Sequence, residues 1–225
     1  FKPRKAKSVG LKVDKTCRIG RTYEDYKEFH KTHPELPVVE LDSVEGIKGG
    51  AVLLTIHFVL QKFQLAFWRA SNDSKSVTDI FHMLYKKLGK ELYMKLFSIL
   101  LCDNGSEFSD PKSLEYGPDG ELCSKVFYCD PAAPNEKGAC EVNHEFIRRV
   151  IPKGVDIGQY TQDDIDLMMN NINSYSRPEL GNKPPYAMFS FFYGKKVLKE
   201  FHFEVVKPND IILRPSLLKK PTETE

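Results

Sequence analysis

The chain has 225 residues, of which 41% are hydrophobic and 12% aromatic. That is enough apolar side chain to build a core, and it excludes a disordered chain. The net charge of +2 does not by itself announce a nucleic-acid partner. No apolar run reaches the roughly 18 residues of a membrane span, and five cysteines fit reduced thiols better than a disulfide framework.

Charge is distributed unevenly. Residues 1–21 carry eight Lys/Arg against a single Asp, a local net of +7, and are expected to form a basic linker able to lie along phosphate backbone. No signal peptide is visible and the chain begins with Phe, so it is taken as a fragment of a longer protein acting in the cytoplasm. The last residues, "LLKKPTETE", have the composition of a frayed tail.

Thr22 is placed to cap a helix running to about His33, ended by Pro34 and Pro37. "VVELD" (38–42), "AVLLTIHFVL" (51–60) and "KFQLAFWRA" (62–70) have the β-branched and aromatic content of three successive strands. Val77, Ile80, Phe81, Leu84 and Leu88 recur at helical spacing and predict a helix over about 74–88. "LFSILLC" (96–102) is a fourth strand and "KVFYC" (125–129) a fifth, with a polar, weakly helical connection at 105–124. A helix is expected from about Pro134 to Pro152, and Thr161 with Asp164 resembles a capping box for another ending near Tyr175. The order predicts one mixed α/β domain, a three-strand meander extended by strand–helix–strand units.

Two carboxylates end strands: Asp42 the first and Asp103, in "LLCDNGSEF", the fourth. If those strands are neighbours, the two acids meet at one rim, where their repulsion requires a cation or a proton. A third acid comes from the helix after the fifth strand. Lys137, His144, Glu145 and Arg148 fall within about 60° of Glu141 by the helical period, whereas Ala139, Val142, Phe146 and Val150 fall opposite and are expected to pack on the sheet. Two Asp and one Glu suit a hard cation, Mg²⁺ or Mn²⁺, and two ions about 4 Å apart can clamp an in-line phosphoryl displacement. Spacing alone leaves Glu40, Glu45 and Glu107 as alternatives to these acids. Cys123, Cys129, Cys140 and His144 lack the short Cys spacing of zinc ribbons. Lys137, His144, Arg148 and Lys153 are candidate DNA contacts, although a solvated helix face explains any one of them as well.

With "VVELDSVEG" around Asp42, "LLCDNGSEF" around Asp103, "DPAAPNEKGACEVNHEFIRRVIPKG" around Glu141 and "NSYSRPELGNKPPYAMF" at 173–189, residues from about 18 to 219 resemble a DDE transposase catalytic core of the retroviral-integrase type, nearest to the IS-thirty family of bacterial insertion-sequence transposases. The resemblance implies an RNase H-like fold with a five-stranded mixed sheet. It implies a basic linker (1–21), a catalytic core (22–160) and a helical extension with a C-terminal arm (161–225). It picks Asp42, Asp103 and Glu141 as catalytic and metal-binding residues, with Mg²⁺ or Mn²⁺, two ions per site. Element-end and target DNA are the implied partners, with a homo-oligomer assembled on DNA, nucleoid association and no membrane. Ala139 and Cys140 replace the more frequent Thr-Asn, and His144 stands where many relatives have Asn. The alternatives are a nuclease that does not transfer strands and a domesticated DNA-binding module without catalysis.

Overall fold

The structure, a computed structural model, describes residues 16–130, 136 and 138–218, with the side chains of 138–141 outside that description. Five strands, β1 (Val38–Glu45), β2 (Val52–Phe58), β3 (Phe63–Arg69), β4 (Ile99–Cys102) and β5 (Lys125–Tyr128), form one sheet in the order β3-β2-β1-β4-β5. β2 runs antiparallel to both its neighbours, while β1, β4 and β5 are parallel. This mixed sheet with one reversed strand has the topology of an RNase H-like fold. Its logic is local: β1, β2 and β3 are joined by short turns and therefore form a meander, whereas the parallel pairs need the crossovers that helices supply.

Successive strand side chains point to opposite faces, and both faces are covered. On one, Val39, Leu41, Leu54, Ile56, Phe58, Phe63 and Leu100 meet α2 (Ser74–Leu88), α3 (Lys90–Leu96), α7 (Pro185–Tyr193) and α8 (Lys195–Glu200). Phe189 of α7 is fully buried there, with its ring centroid 4.3 Å from that of Phe63 and 4.9 Å from that of Phe58. On the other face, Val44, Leu53 and Ala66 meet α5 (Gly138–Val150) and α6 (Gln162–Ser174). Further along, Tyr23, Tyr26 and Phe29 of α1 (Tyr23–Thr32) cover Ile99, Leu101 and Phe127. β1 therefore lies between the territories of α1 and α5 on that face.

The capping signals are observed: Thr22 with Asp25 starts α1 and Thr161 with Asp164 starts α6, each as a reciprocal capping box. Three expectations need correction. The segment expected to enter the fourth strand at residue 96 instead completes α3, which begins just after Gly89, and β4 starts only at Ile99. Tyr93 and Leu96 of α3 are buried against the sheet, so a short amphipathic helix replaces the early part of the strand. The first strand, expected to end at Asp42, runs on to Glu45, so Asp42 lies within it. Val142 is 54% exposed, whereas Asn143, Phe146, Ile147 and Val150 form the buried stripe of α5. Positions 143, 146, 147 and 150 have the i, i+3, i+4, i+7 spacing of one helix face. A polar residue holds an inward position because its amide finds partners there. The expected helix start at Pro134 lies outside the described residues.

The exposed edge of β3 is closed by side chains. Gln162 accepts from Trp68 N at 2.8 Å and donates to Ala66 O at 3.0 Å. Asn173 accepts from Gln64 N at 3.0 Å and donates to Gln64 O at 2.8 Å. These two amides from α6 satisfy the groups a neighbouring strand would otherwise take, which blocks edge-to-edge association. The helical extension is thus built into the same cores as the sheet.

Candidate active site

Asp42 and Asp103 are brought together by strand register. β1 and β4 are parallel, with Leu41 opposite Cys102, so the next residues along are neighbours: Asp42, which lies within β1 and pairs with Thr55 of β2, and Asp103, just past the end of β4. Asp42 Oδ1 accepts from Ser43 N at 2.7 Å, and Asp103 Oδ1 accepts from Gly105 N at 2.8 Å. Each carboxylate therefore has one oxygen tied to the adjoining backbone. The side chain of Asp42 retains 22% exposure, as suits a group at a rim rather than in a core.

The turn after Asp103 is held on both sides. Asn104 Nδ2 donates to Cys129 O at 2.6 Å, and Arg18 donates to Asn104 O at 2.8 Å. Arg21 makes a two-pronged ion pair with Glu115, at 2.6 and 3.0 Å, while its carbonyl accepts from Tyr128 N at 2.8 Å. The end of the expected linker, Thr16–Arg21, is therefore seated across β5 and the Asp103 turn.

His144 of α5 completes the described site. Its Nδ1 lies 3.9 Å from Asp42 Oδ2, and its Nε2 lies 2.9 Å from Thr55 Oγ1. Thr55 faces Asp42 across the β1–β2 pair and donates its single hydroxyl proton to Asp42 O at 3.1 Å. Nε2 is thus within hydrogen-bond distance of Thr55, and the other ring nitrogen faces the carboxylate. Glu141 lies one turn earlier on α5; its side chain, like all of Lys137, lies outside the described residues. Among the described residues no three His, Cys, Asp or Glu side chains are gathered as a metal site.

The three alternative acids occupy different places. Glu40 shares the face of Asp42 but is deeper, 4% exposed. Glu45 falls on the opposite face of β1, and its carboxylate accepts from Asn72 at 3.2 Å. Glu107, 6% exposed, approaches Asp103 across Gly105: a methyl group at Gly105 would lie 2.2 Å from Glu107 Oε2 and 2.9 Å from Asp103 Oδ1.

Of the candidate DNA contacts, Arg148, Arg149 and Lys153 line a shallow groove of about 580 Å³ with His144 and Glu145. Arg148 is partly withdrawn from it, donating to Glu45 O at 2.8 Å, and burial holds its guanidinium below its ordinary range. Sequence reasoning missed Thr55, His57, Asn143 and Arg177, all buried around the site. For Asn143 the i, i+3, i+4, i+7 stripe was an available signal. For Arg177 there was none.

Comparison with known proteins adds to this geometry. No family model matches the chain. A transposase of insertion sequence element IS30C from Escherichia coli K12 is 31% identical over 146 residues, 65% of this chain and 36% of that protein. The chain is similar to bacterial insertion-sequence transposases. The transposase of IS4351 from Bacteroides fragilis is 26% identical over 151 residues, 67% of this chain and 44% of that protein. A putative integrase of Spiroplasma virus SpV1-R8A2 B is 27% identical over 140 residues, 62% of this chain and 41% of that protein. The chain spans less than half the length of each of these curated relatives. Among solved structures, the catalytic core domain of BIV integrase matches with a TM-score of 0.47 at 14% identity, covering 71% of this chain and 97% of that one. No helix among the described residues is long and apolar enough to cross a membrane.

Proposed function

We propose that this chain is the catalytic domain of a transposase, a polynucleotidyl transferase that cuts DNA at the ends of a mobile element and joins them to target DNA. The observation that carries this reading is the register of the parallel strands β1 and β4, which makes Asp42 and Asp103 neighbouring positions, with His144 of α5 beside Asp42. Similarity to insertion-sequence transposases supports it.

In this reading Asp42, Asp103 and Glu141 hold Mg²⁺ or Mn²⁺, two ions per site. The donor chemistry fits: oxygen ligands at a partly exposed rim, where paired carboxylates repel unless neutralised. The cations supply charge neutralisation for the attacking and leaving oxygens. The backbone N–H groups of Ser43 and Gly105 orient the two aspartates, and Thr55 holds the His144 ring beside Asp42. Water attacks phosphorus and the bond to the 3′ oxygen breaks, leaving a 3′-hydroxyl. That hydroxyl then attacks a target phosphodiester, forming one P–O bond and breaking another. The protein contributes positioning and electrostatics without a covalent intermediate.

Lys137, His144, Arg148 and Lys153 are proposed to meet DNA beside the carboxylates; for His144, Arg148 and Lys153 the groove they line along α5 supports this. Assembly as a homo-oligomer on DNA, in the bacterial cytoplasm, follows from the same reading. The test is to incubate the full-length protein with labelled element ends, with and without Mg²⁺, and to map the products. Cleavage followed by joining is expected, with Asp42→Asn, Asp103→Asn and Glu141→Gln each inactive but folded. Cleavage without joining would reduce the reading to a nuclease; retained cleavage in any one variant would remove that residue from the ligand set.

A further inference from the structure

We infer that Asn143 and Arg177 are positioning residues that lock α5 onto β2 and so place His144, and the turn of helix that carries Glu141, at Asp42. This inference rests on the reading of the site just proposed.

The contacts are specific and buried. Asn143 is 3% exposed and Arg177 5%. The Asn143 amide donates to His57 Nδ1 at 2.7 Å and to Lys62 O at 3.4 Å, and its oxygen faces the Arg177 guanidinium at 3.5 Å. Turning the amide over would set its NH₂ against a cation and its oxygen against a carbonyl, so one orientation is selected. Arg177 also donates to Ile172 O at 3.2 Å and lies 3.8 Å from the centre of the Phe146 ring. It ties the segment after α6 to two residues of α5, Asn143 and Phe146.

Two features argue that this network does more than fill space. A buried guanidinium is expensive, and among the described residues Arg177 makes no ion pair with a carboxylate. Apolar side chains of similar volume would stabilise the core at least as well. Second, α5 is joined to β2 twice by consecutive residues. Asn143 contacts His57 and His144 contacts Thr55, and those two partners sit on the same face of β2, two residues apart. They add to the buried stripe of Phe146, Ile147 and Val150 two directional contacts to a single strand. Two contacts from residues about 100° apart on the helix fix both its rotation and its advance along the strand. Glu141 and His144 flank Asn143 in sequence, so roll or advance of α5 moves both relative to Asp42.

The test uses the full-length protein with Asn143→Ala and, as a second variant that keeps the charge, Arg177→Lys. Three quantities are measured: amide hydrogen exchange over residues 138–150 without DNA, affinity for element-end DNA, and cleavage rate at saturating DNA. Asn143→Ala is expected to speed exchange over this helix by about tenfold and to lower the saturated cleavage rate by about tenfold or more, since misplacement of about 1 Å can cost ~10²-fold. DNA affinity should stay within about twofold. Arg177→Lys should shift exchange and rate in the same direction by a smaller factor. A merely structural role predicts instead a lower melting temperature with a normal rate per folded molecule, and that result would overturn the inference, as would unchanged exchange in both variants. Should Asn143→Ala fail to fold, Arg177→Lys decides alone by the same two readouts. If the unmutated protein cleaves no DNA with either metal, the proposed function fails, while faster exchange in the variants would still show the lock.

Discussion

Gly105 is the sharpest single test of how the Asp103 turn is built. Its backbone, with φ −62° and ψ 150°, is open to any residue, so Gly105→Ala introduces no dihedral strain. The cost comes from contact. The new Cβ would lie 2.2 Å from Glu107 Oε2, 2.5 Å from Glu107 Cδ and 2.9 Å from Asp103 Oδ1, whereas ordinary contact begins at 3.4 Å. Glu107 is 6% exposed, so either its carboxylate or that of Asp103 must retreat by about 1 Å. Overpacking of this kind costs about 1–3 kcal/mol. For a protein of this size that lowers the melting temperature by about 2–4 °C per kcal/mol. The effect on turnover should be larger, because Asp103 Oδ1 is held by Gly105 N and moves with it; a shift of about 1 Å in a reacting group can cost ~10²-fold. Single-turnover cleavage of labelled element ends, beside a thermal melt, measures both. A Gly105→Ala protein with unchanged turnover and an unchanged melt would refute the close approach and the argument built on it.

Three further outcomes are expected. Arg148→Ala should cost about 1 kcal/mol through loss of its charged hydrogen bond to Glu45 O; Arg148→Lys should leave that loss in place while restoring the salt dependence of DNA binding, if a phosphate contact is what Arg148 also makes. His57 is fully buried, and burial first, then the nearby Lys62, His144 and Arg177, lower its pKa from 6.5 to about 3. Below pH 6.5 the unfolded chain takes up a proton that the folded chain refuses, so stability should fall as pH drops towards 3, by up to about 1.4 kcal/mol per unit. Denaturant titrations of the unmutated protein and His57→Gln should show that acid slope reduced in the variant. Gln162→Leu or Asn173→Leu should leave backbone groups of β3 unpaired, costing about 1–3 kcal/mol and exposing an edge that promotes association, visible in melts and in light scattering.

Much of the fold was legible in sequence because its signals are local. The β-branched runs of β1, β2 and β3, the helical spacing of Val77 to Leu88, and the Thr–Asp capping pairs each act within one element. The order of elements allowed the first and fourth strands to be neighbours, and the parallel register of β1 and β4 then makes Asp42 and Asp103 neighbouring positions. A glycine after Asp-Asn is ordinarily a sign of tight backbone geometry. Tertiary structure gives a different reason: two carboxylates crowd the place where a side chain would go, and no backbone rule reveals that. Periodicity defined α5 as two-faced but assigned Val142 inward, because an Asn at a core position is costly until its partners are known. Those partners, His57, Lys62 and Arg177, lie 86, 81 and 34 residues away. The types of the elements and the acids they carry were set by neighbours along the chain; the inward Asn143, the withdrawn Arg148 and the closed edge of β3 were set by hydrogen bonds that exist only once distant segments have packed.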